Sequence, residues 1–241
     1  YQHKPFIEFK TEVDWDERQK MLRVEFPVQI NALNARYDVA FGNAEHPNHA
    51  TTSYDQARFE VCGHKWGDVS DGGMGVALLN DCKYGYSIQN SNMVLSLLRS
   101  SDHPADNCDK GHHSFTYWLY PHEGSFKDAQ VAEAGYEVNV PLLVKEGSAK
   151  QAEASYIRTD CPNIVVDTVK KAEKDDDIII RLFETYNTVS NGRLYFGFPI
   201  ESCVETDLLE RETEQIPCEE NSISITVKPY EIRTFKIRKA K

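Results

Sequence analysis

The chain has 241 residues, with 27 Lys and Arg against 38 Asp and Glu, which gives a net charge of −11 at pH 7. Hydrophobic residues make up 40% of it, enough for a folded core, so the composition excludes wholesale disorder. The negative charge would repel a phosphate backbone, and no apolar run approaches the about 20 residues that cross a bilayer. We therefore expect a globular protein that binds neither nucleic acid nor membranes.

The predicted elements are almost all β-strands, because apolar residues recur at every second position. In residues 22–30 the apolar side chains lie on one face, and Pro27 falls on the other, which predicts an edge strand or a bulge. Residues 115–120 are large on both faces, as is typical of a strand buried between layers. The other predicted strands cover 36–41, 57–62, 75–80, 93–99, 135–143, 163–170, 177–185, 193–199, 223–228 and 231–238.

Turn-forming residues separate these strands at 71–73, 90–92, 191–192 and 228–229. Asn191 and Gly192 tolerate the positive φ values of a tight primed turn, so we predict a two-residue hairpin there. The glycines of residues 72–75 also indicate a hairpin, because neither a helix nor the Lys-Ser/Thr of a phosphate loop follows them.

About a dozen short strands with little helical signal predict an all-β fold of sandwiches or barrels. Residues 145–154 are polar, small and without periodicity, which favours a linker. We therefore assign residues 1–150 to part of a large β-sandwich domain and residues 151–241 to a smaller C-terminal β-sandwich domain.

Neither the cysteines nor the histidines form a metal-binding motif. The six cysteines show no C-x-x-C pair, and reduced thiols in a cytosolic protein are favoured over the disulfides of a secreted one. Among the eight histidines, His112 and His113 are adjacent on a strand, so their side chains point to opposite faces. We predict no metal site in this chain.

Paired carboxylates are harder to judge, because an acidic chain offers many of them. Glycoside hydrolysis needs two, about 5–5.5 Å apart for retention of configuration or about 6.5–9.5 Å apart for inversion. Asp81 stands out because an apolar strand runs directly into the polar cluster of residues 80–86. Such a cluster either caps a turn or lines a pocket, and the sequence leaves both open.

The same region carries a resemblance to a known family. Residues 75–85, Gly-Val-Ala-Leu-Leu-Asn-Asp-Cys-Lys-Tyr-Gly, resemble a signature of glycoside hydrolase family 38, the α-mannosidases, and are most similar to the cytosolic (neutral) and vacuolar type. Further stretches agree with that family in the same order along the chain: residues 11–15 with 22–27, 57–61 with 64–66, 115–117 with 121–126, 139–142, and 207–211.

The resemblance implies a large antiparallel β-sandwich, a portion of a galactose-mutarotase-like supersandwich, followed by a smaller C-terminal β-sandwich. Enzymes of this family carry their zinc ligands, nucleophilic aspartate and acid/base aspartate on an N-terminal α/β-barrel, which a helical bundle follows. We therefore expect this chain to be a fragment that begins partway through the C-terminal region and holds neither catalytic residues nor a metal.

For the intact enzyme, the resemblance implies hydrolysis of terminal α-D-mannosides of oligosaccharides with retention. It implies zinc, or cobalt in the cytosolic branch, on the catalytic domain, and a cytoplasmic location. The barrel and helical domains of the same protein are the expected partners of this chain, together with a mannose-containing oligosaccharide. A homo-oligomeric full enzyme is compatible with the sequence.

Sandwich domains of the family pack against the barrel and lend loops to the rim of the active site. The resemblance makes the long polar loop of residues 99–113 the first candidate for this role, and the turn of residues 80–84 the second. Trp66 is a candidate for stacking on a sugar, although a core position is the stronger expectation. The candidates in the loop and the turn are Arg99, Asp106, Asp109, Lys110, Asp81 and Tyr84.

Two alternatives remain at the level of sequence. One is an autonomous carbohydrate-binding sandwich without hydrolytic activity, and the other is an independent hydrolase built on carboxylates of this chain. A binding module predicts a cluster of exposed aromatic residues. Tyr117, Trp118 and Tyr120 instead lie in a strongly apolar strand, which favours their burial.

Overall fold

A computed structural model describes residues 4–148 and 153–240, and antiparallel β-sheets dominate it, which confirms the all-β prediction. The chain divides into two compact units, Tyr1–Leu142 and Leu143–Lys241. The predicted boundary between residues 150 and 151 lies outside the described residues.

The first unit holds strands β1 to β10 and two short helices. Their bounds are β1 Ile7–Trp15, β2 Met21–Pro27, β3 Asn34–Val39, β4 Gly42–Pro47, α1 Ser53–Ala57, β5 Val61–Cys62, β6 Trp66–Ser70, β7 Met74–Asn80, β8 Gly85–Gln89, β9 Asn92–Arg99, β10 Gly111–Glu123 and α2 Val131–Asn139. One sheet has the order β1-β10-β7-β6-β3-β4, and the other has the order β2-β9-β8-β5. Neither helix is long and apolar enough to cross a membrane, and the described part of the chain has no other that is.

The core of the first unit draws on both of these sheets. Tyr37 and Leu78 come from the six-stranded sheet, and Tyr86, Met93 and Leu95 come from the four-stranded one. All five are essentially inaccessible to solvent. Burying such side chains contributes about 1.5–3 kcal/mol each, so this layer holds the two sheets face to face.

The second unit holds strands β11 to β19. Their bounds are β11 Ile157–Thr159, β12 Ile164–Lys171, β13 Ile178–Glu184, β14 Ser190–Phe196, β15 Ile200–Thr206, β16 Glu212–Ile216, β17 Cys218–Glu219, β18 Ser222–Val227 and β19 Ile232–Lys239. A five-stranded sheet, β12-β13-β19-β15-β16, faces a four-stranded sheet, β11-β14-β18-β17. Ile180, Leu182 and Phe235 from the first pack with Leu194 and Ile225 from the second, which makes this unit a sandwich.

Several local predictions are confirmed. Strand β2 lies at the edge of its sheet and ends at Pro27, and its bulge falls between Leu22 and Arg23. Asn90 and Ser91 adopt positive φ between β8 and β9, as a primed turn requires. The glycines of residues 72–75 form the hairpin between β6 and β7. Strand β1 was not predicted, although it pairs with β10 along its full length.

The strand predicted over residues 135–143 is wrong, because this region begins with the last part of helix α2. The alternation of Tyr136, Val138 and Val140 mimics period two. Burial instead follows the helical set Val131, Ala132, Ala134 and Gly135, and α2 packs on β6 and β7. Tertiary burial of one helix face outweighs the local β-propensity of the valines.

The strand predicted over residues 57–62 is also wrong for most of its length. Thr52 and Asp55 form a capping box, in which the Thr52 hydroxyl accepts a hydrogen bond from Asp55 N and the Asp55 carboxylate accepts one from Thr52 N. These bonds satisfy amides that have no partner within a helix, so α1 forms instead, and only the short β5 remains of the prediction.

The hairpin predicted at Asn191 and Gly192 does not form. Both residues lie inside β14 and pair with Thr226 and Ile225 of β18. A Cβ atom at Gly192 would lie 2.1 Å from Cys161 Sγ, so the glycine is explained by the close approach of a neighbouring segment and not by a turn.

A buried hydrogen bond between a histidine and an aspartate crosses the six-stranded sheet of the first unit. His122 on β10 reaches over β7 to Asp68 on β6, with 2.8 Å between His122 Nε2 and Asp68 Oδ2, and both side chains are almost fully buried. Burial raises the pKa of the Asp68 carboxyl, and the bonds from His122 and Ser70 oppose that shift. Gly75 on β7 leaves room for the imidazole, because a Cβ there would lie 2.3 Å from His122 Cε1.

We therefore expect Gly75→Ala to lower the free energy of unfolding by about 1–3 kcal/mol, because the methyl group would displace the His122 ring or strand β6. Gly73→Ala is the matched control in the same hairpin, since its Cβ meets only the Asp71 carboxylate at 3.5 Å. Urea unfolding followed by circular dichroism measures both. Equal effects of the two substitutions would contradict this account.

Candidate functional site

The turn that follows β7 is held by the buried side chain of Asn80. Its Nδ2 donates hydrogen bonds to His64 O, at 3.0 Å, and to Tyr86 Oη. Its Oδ1 accepts from the backbone N–H groups of Cys82, at 2.9 Å, and Lys83. Because both ends of the amide are used, the side chain fixes the path of residues 81–84.

Asp81 extends the pairing of β7 with β10 beyond the end of the strand. Its N–H donates to Thr116 O at 3.2 Å, and its Oδ2 accepts from Thr116 N at 2.9 Å. The side chain is nevertheless exposed. The sequence left open whether this cluster caps a turn or lines a pocket, and the cluster does both, since Asn80 caps the turn and Asp81 lines the cavity described next.

An open cavity of about 450 Å³ lies beside this turn. Segments far apart in the sequence meet around it, since its lining combines the end of β7 with residues that precede β6 and with the last residue of α2. The lining residues are His64, Lys65, Asn80, Asp81, Tyr84 and Asn139. Each of these positions falls in a stretch that carries the family resemblance.

Three of the lining residues were not predicted as site residues. His64 contacts the exposed Tyr84 ring edge-to-face, with 5.5 Å between ring centroids. Lys65 Nζ donates to Asp38 Oδ2 at 2.9 Å and lies 4.6 Å from the centroid of the Tyr136 ring. Asn139 Nδ2 donates to Asn80 O at 3.0 Å, so α2 is tied to the turn. The signal in the sequence was resemblance alone, because no periodicity marks these positions.

The side chains that line the cavity can bind hydroxyl groups. Its lining combines a carboxylate, a phenol, an imidazole, an ammonium group and amides, which can donate to and accept from a polyol. Asp81 is the one carboxylate among the six lining residues, whereas glycoside hydrolysis needs two. Burial, and then the Asp81 carboxylate, raise the pKa of the neighbouring Cys82 thiol to about 11, so that thiol is not a nucleophile at neutral pH.

The loop of residues 99–113, the first candidate for the rim, does not contribute to this cavity. Asp109 Oδ2 accepts from Arg99 N at 2.7 Å, which closes the loop on itself, and Lys110 Nζ lies 2.7 Å from Asp16 Oδ1. The bond from Lys110 lowers the pKa of Asp16. Arg99 and Asp106 are exposed but, like Asp109 and Lys110, do not line the cavity.

Trp66 is wrong as a stacking residue, and the expectation of a core position is confirmed. Its indole is fully buried, stacks on Phe126 with 5.9 Å between ring centroids, and lies against Gly135 of α2. It is covered because helix α2, which forms where a strand was predicted, packs on β6. A sugar therefore cannot reach either face of the ring.

The described residues hold no cluster of three or more His, Cys, Asp or Glu side chains that could hold a metal ion. His112 and His113 diverge as expected: His112 Nδ1 lies 3.0 Å from Asp14 Oδ1, whereas His113 Nε2 lies 2.8 Å from Asp109 O. Each of the six cysteines is present as a free thiol.

The sequence of the chain matches known families and proteins. The family described as "Glycosyl hydrolases family 38 C-terminal domain" matches residues 1–107, and "Glycosyl hydrolases family 38 C-terminal beta sandwich domain" matches residues 163–235. Alpha-mannosidase G of Dictyostelium discoideum is 41% identical over 242 residues, which cover 95% of this chain and 22% of that protein. Human alpha-mannosidase 2C1 is 39% identical over 235 residues, which cover 95% of this chain and 23% of that protein.

The fold also matches solved structures. An alpha-mannosidase from Enterococcus faecalis V583 superposes with a TM-score of 0.78 at 18% identity, covering 96% of this chain and 27% of that one. At such identity the likeness shows the fold alone. The chain spans less than a quarter of the length of the two curated relatives named above. It belongs to glycosyl hydrolase family 38 and corresponds to the C-terminal region of the α-mannosidases of that family.

Proposed function

We propose that this chain is the non-catalytic C-terminal part of an α-mannosidase and that its turn at residues 80–84 forms part of the rim of the active site. The observation that carries the proposal is the meeting of His64, Lys65, Asn139 and this turn around one open, polar cavity. The catalytic barrel and helical domains of the same polypeptide are the proposed partners, and this region packs on the barrel.

In the proposed enzyme, the catalytic part hydrolyses terminal α-D-mannosides of oligosaccharides with retention, which requires a nucleophilic and an acid/base carboxyl group. Zinc, or cobalt, would be bound by that catalytic part. We place the enzyme in the cytoplasm, and a homo-oligomeric assembly is compatible with the proposal. The cavity of this chain would supply sugar contacts and leave the bond-breaking groups to the catalytic part.

The geometry of the turn favours recognition of sugar hydroxyls. The Asn80 side chain accepts hydrogen bonds from the backbone N–H groups of Cys82 and Lys83 and so fixes the turn. Little conformational freedom of the turn would therefore be lost when a sugar binds. Tyr84 and Asp81 are both exposed, and both line the cavity. A donor next to an acceptor is the arrangement that a vicinal diol needs.

In this proposal, only part of the loop between β9 and β10 is assigned to sugar binding. Arg99 and Asp106 remain candidates for sugar contacts, because their side chains are exposed. Asp109 and Lys110 already bind groups of the loop and of residue Asp16, so we assign them mainly to the loop's own structure.

A carbohydrate-binding module without hydrolytic activity is the second candidate. Tyr54 and Phe59, in and just after α1, are 84% and 66% exposed, and exposed aromatic rings are a common feature of glycan sites. The burial of Tyr117, Trp118 and Tyr120, however, argues against an aromatic platform on β10. Calorimetric titration of this chain with mannose oligosaccharides separates the two, because millimolar or tighter binding favours the module.

The first test concerns catalysis by the chain alone. We expect the 241-residue chain to release no aryl alcohol from an aryl α-mannoside, with or without zinc or cobalt, because its cavity lacks a second carboxylate. The polypeptide that also contains the catalytic part should turn over the same substrate. Metal-dependent turnover by the chain alone would support the independent hydrolase and contradict the proposal.

The second test concerns the rim. In the polypeptide with the catalytic part, Tyr84→Phe should raise KM about tenfold with a smaller change in kcat, because one hydrogen bond to the sugar is lost. Tyr156→Phe is the matched control, since that tyrosine is 74% exposed and does not line the cavity. Steady-state kinetics on an aryl α-mannoside measure both, and thermal unfolding checks that the fold is unchanged. If the two variants behave alike, Tyr84 does not contact the substrate.

A further inference from the structure

A second open cavity lies in the first unit, and it shares no lining residue with the candidate cavity beside the turn of residues 80–84. Its volume is about 360 Å³, which is in the range of sites that bind small molecules. It is lined by residues 31–34 and Arg36 at the start of β3, by Glu45 of β4, and by Asp68, Ser70 and Asp71 from β6 and the turn after it. We call it the carboxylate cavity.

Carboxyl groups outnumber cationic groups around the carboxylate cavity. Its lining holds three carboxyl groups, those of Glu45, Asp68 and Asp71, and one guanidinium group, that of Arg36. Two backbone N–H groups of the β6–β7 turn donate to Asp71 Oδ1, at 3.1 and 3.0 Å, and lower the pKa of that carboxyl group, so it is charged at neutral pH. This excess of carboxyl groups favours a cationic ligand.

Three side-chain donors of the lining are already engaged within the protein. Asn34 Nδ2 donates to Glu45 Oε1 at 2.5 Å, and Arg36 forms an ion pair with the same carboxylate. The Ser70 hydroxyl donates to Asp68 Oδ1 at 3.0 Å. Since a carboxylate has about four sites that can accept hydrogen bonds, the lining offers a ligand mainly acceptor oxygens. A ligand that donates several hydrogen bonds would match it.

Asp68 makes this cavity more than a group of surface acids. It is only 1% exposed, yet it lines the cavity. His122 Nε2 lies 2.8 Å from its Oδ2, and Ser70 bonds its other oxygen. The carboxyl group is therefore held in one orientation before any ligand arrives, which lowers the cost of binding.

The spacing of the carboxyl groups distinguishes an organic cation from a metal ion. Within residues 4–148 and 153–240, no three His, Cys, Asp or Glu side chains are grouped so that they could hold one metal ion. The three carboxyl groups of the cavity are thus spread over its wall. Such spacing suits a cation whose own charges are separated by a short chain.

We propose that the carboxylate cavity binds a small organic cation of the alkyl diamine class. An ammonium group carries three N–H donors, which complements a lining that is rich in acceptors. A bound diamine would link the start of β3 to the turn between β6 and β7 and would therefore raise the thermal stability of the chain. This inference goes beyond the proposed function and does not rest on it, because it concerns another cavity and another ligand.

Calorimetric titration of the 241-residue chain with putrescine, a four-carbon diamine, tests the proposal. At an ionic strength of about 0.15 M, which screens weak attraction to the net charge of −11, we expect one saturable site of millimolar or tighter affinity. Butanediol, which has the same chain length and no charge, should bind at least about tenfold more weakly. Failure to saturate with putrescine, or equal binding of butanediol, would overturn the proposal.

Two substitutions locate the binding site. Asp71→Asn and Glu45→Gln should each weaken putrescine binding about tenfold, because each removes a negative charge and keeps an oxygen acceptor. Glu12→Gln is the matched control, since Glu12 is exposed on β1, does not line the cavity and changes the net charge equally. Thermal unfolding without putrescine checks the fold, and Glu45→Gln alone decides if Asp71→Asn is misfolded. Equal weakening by all three variants would show attraction to the net charge alone and overturn the proposal.

Nuclear magnetic resonance and competition by metal ions exclude the remaining alternatives. Putrescine should shift the amide signals of residues 70–74 and leave those of residues 81–84 unchanged. The reverse pattern would place the diamine in the candidate cavity and overturn the proposal. Displacement of putrescine by micromolar calcium or magnesium would identify a metal site and would overturn it as well.

Discussion

The hydrogen bonds of the Asn80 side chain are the constraint on which the candidate site depends. A buried amide must satisfy both its donors and its acceptor, because leaving such a group without partners costs about 1–3 kcal/mol. Here the donors bond His64 O and the Tyr86 hydroxyl, and the acceptor receives two backbone N–H groups of the turn. One side chain thus joins the end of β7 to the segment before β6, to β8 and to its own turn.

The core of the first unit keeps that arrangement rigid. Tyr86 is fully buried among the residues between the two sheets, and its hydroxyl also donates to Leu78 O at 3.2 Å. Burial raises the pKa of this phenol, so it stays protonated and remains a donor. The backbone that carries the exposed Asp81 and Tyr84 is therefore held in place by buried side chains. Such support lets a loop present side chains with little freedom of movement.

Under the proposed function, the groups that line the cavity assign this region to substrate recognition within a longer polypeptide. The groups that line the cavity can orient hydroxyls but do not include the two carboxyl groups that glycosidic cleavage needs. Asn139, the last residue of α2, donates to the backbone carbonyl of Asn80, so one hydrogen bond ties this helix to the turn. In the proposed enzyme, the C-terminal region would thus supply a preformed piece of the rim and leave the chemistry to the catalytic part.

The all-β class, the course of most strands, the hairpin at residues 72–75 and the turn at residues 90–92 could be predicted from the sequence alone, because period-two alternation and turn chemistry are local properties. It could not determine helix α2, whose valines favour a strand until Trp66 and the sheet offer a surface to bury one helical face. Gly192 looked like a turn because the close approach of Cys161 comes from a residue 31 positions earlier. The cavity likewise exists only in the tertiary structure, since His64, Asp81 and Asn139 meet through sheet pairing and helix packing that no local pattern encodes.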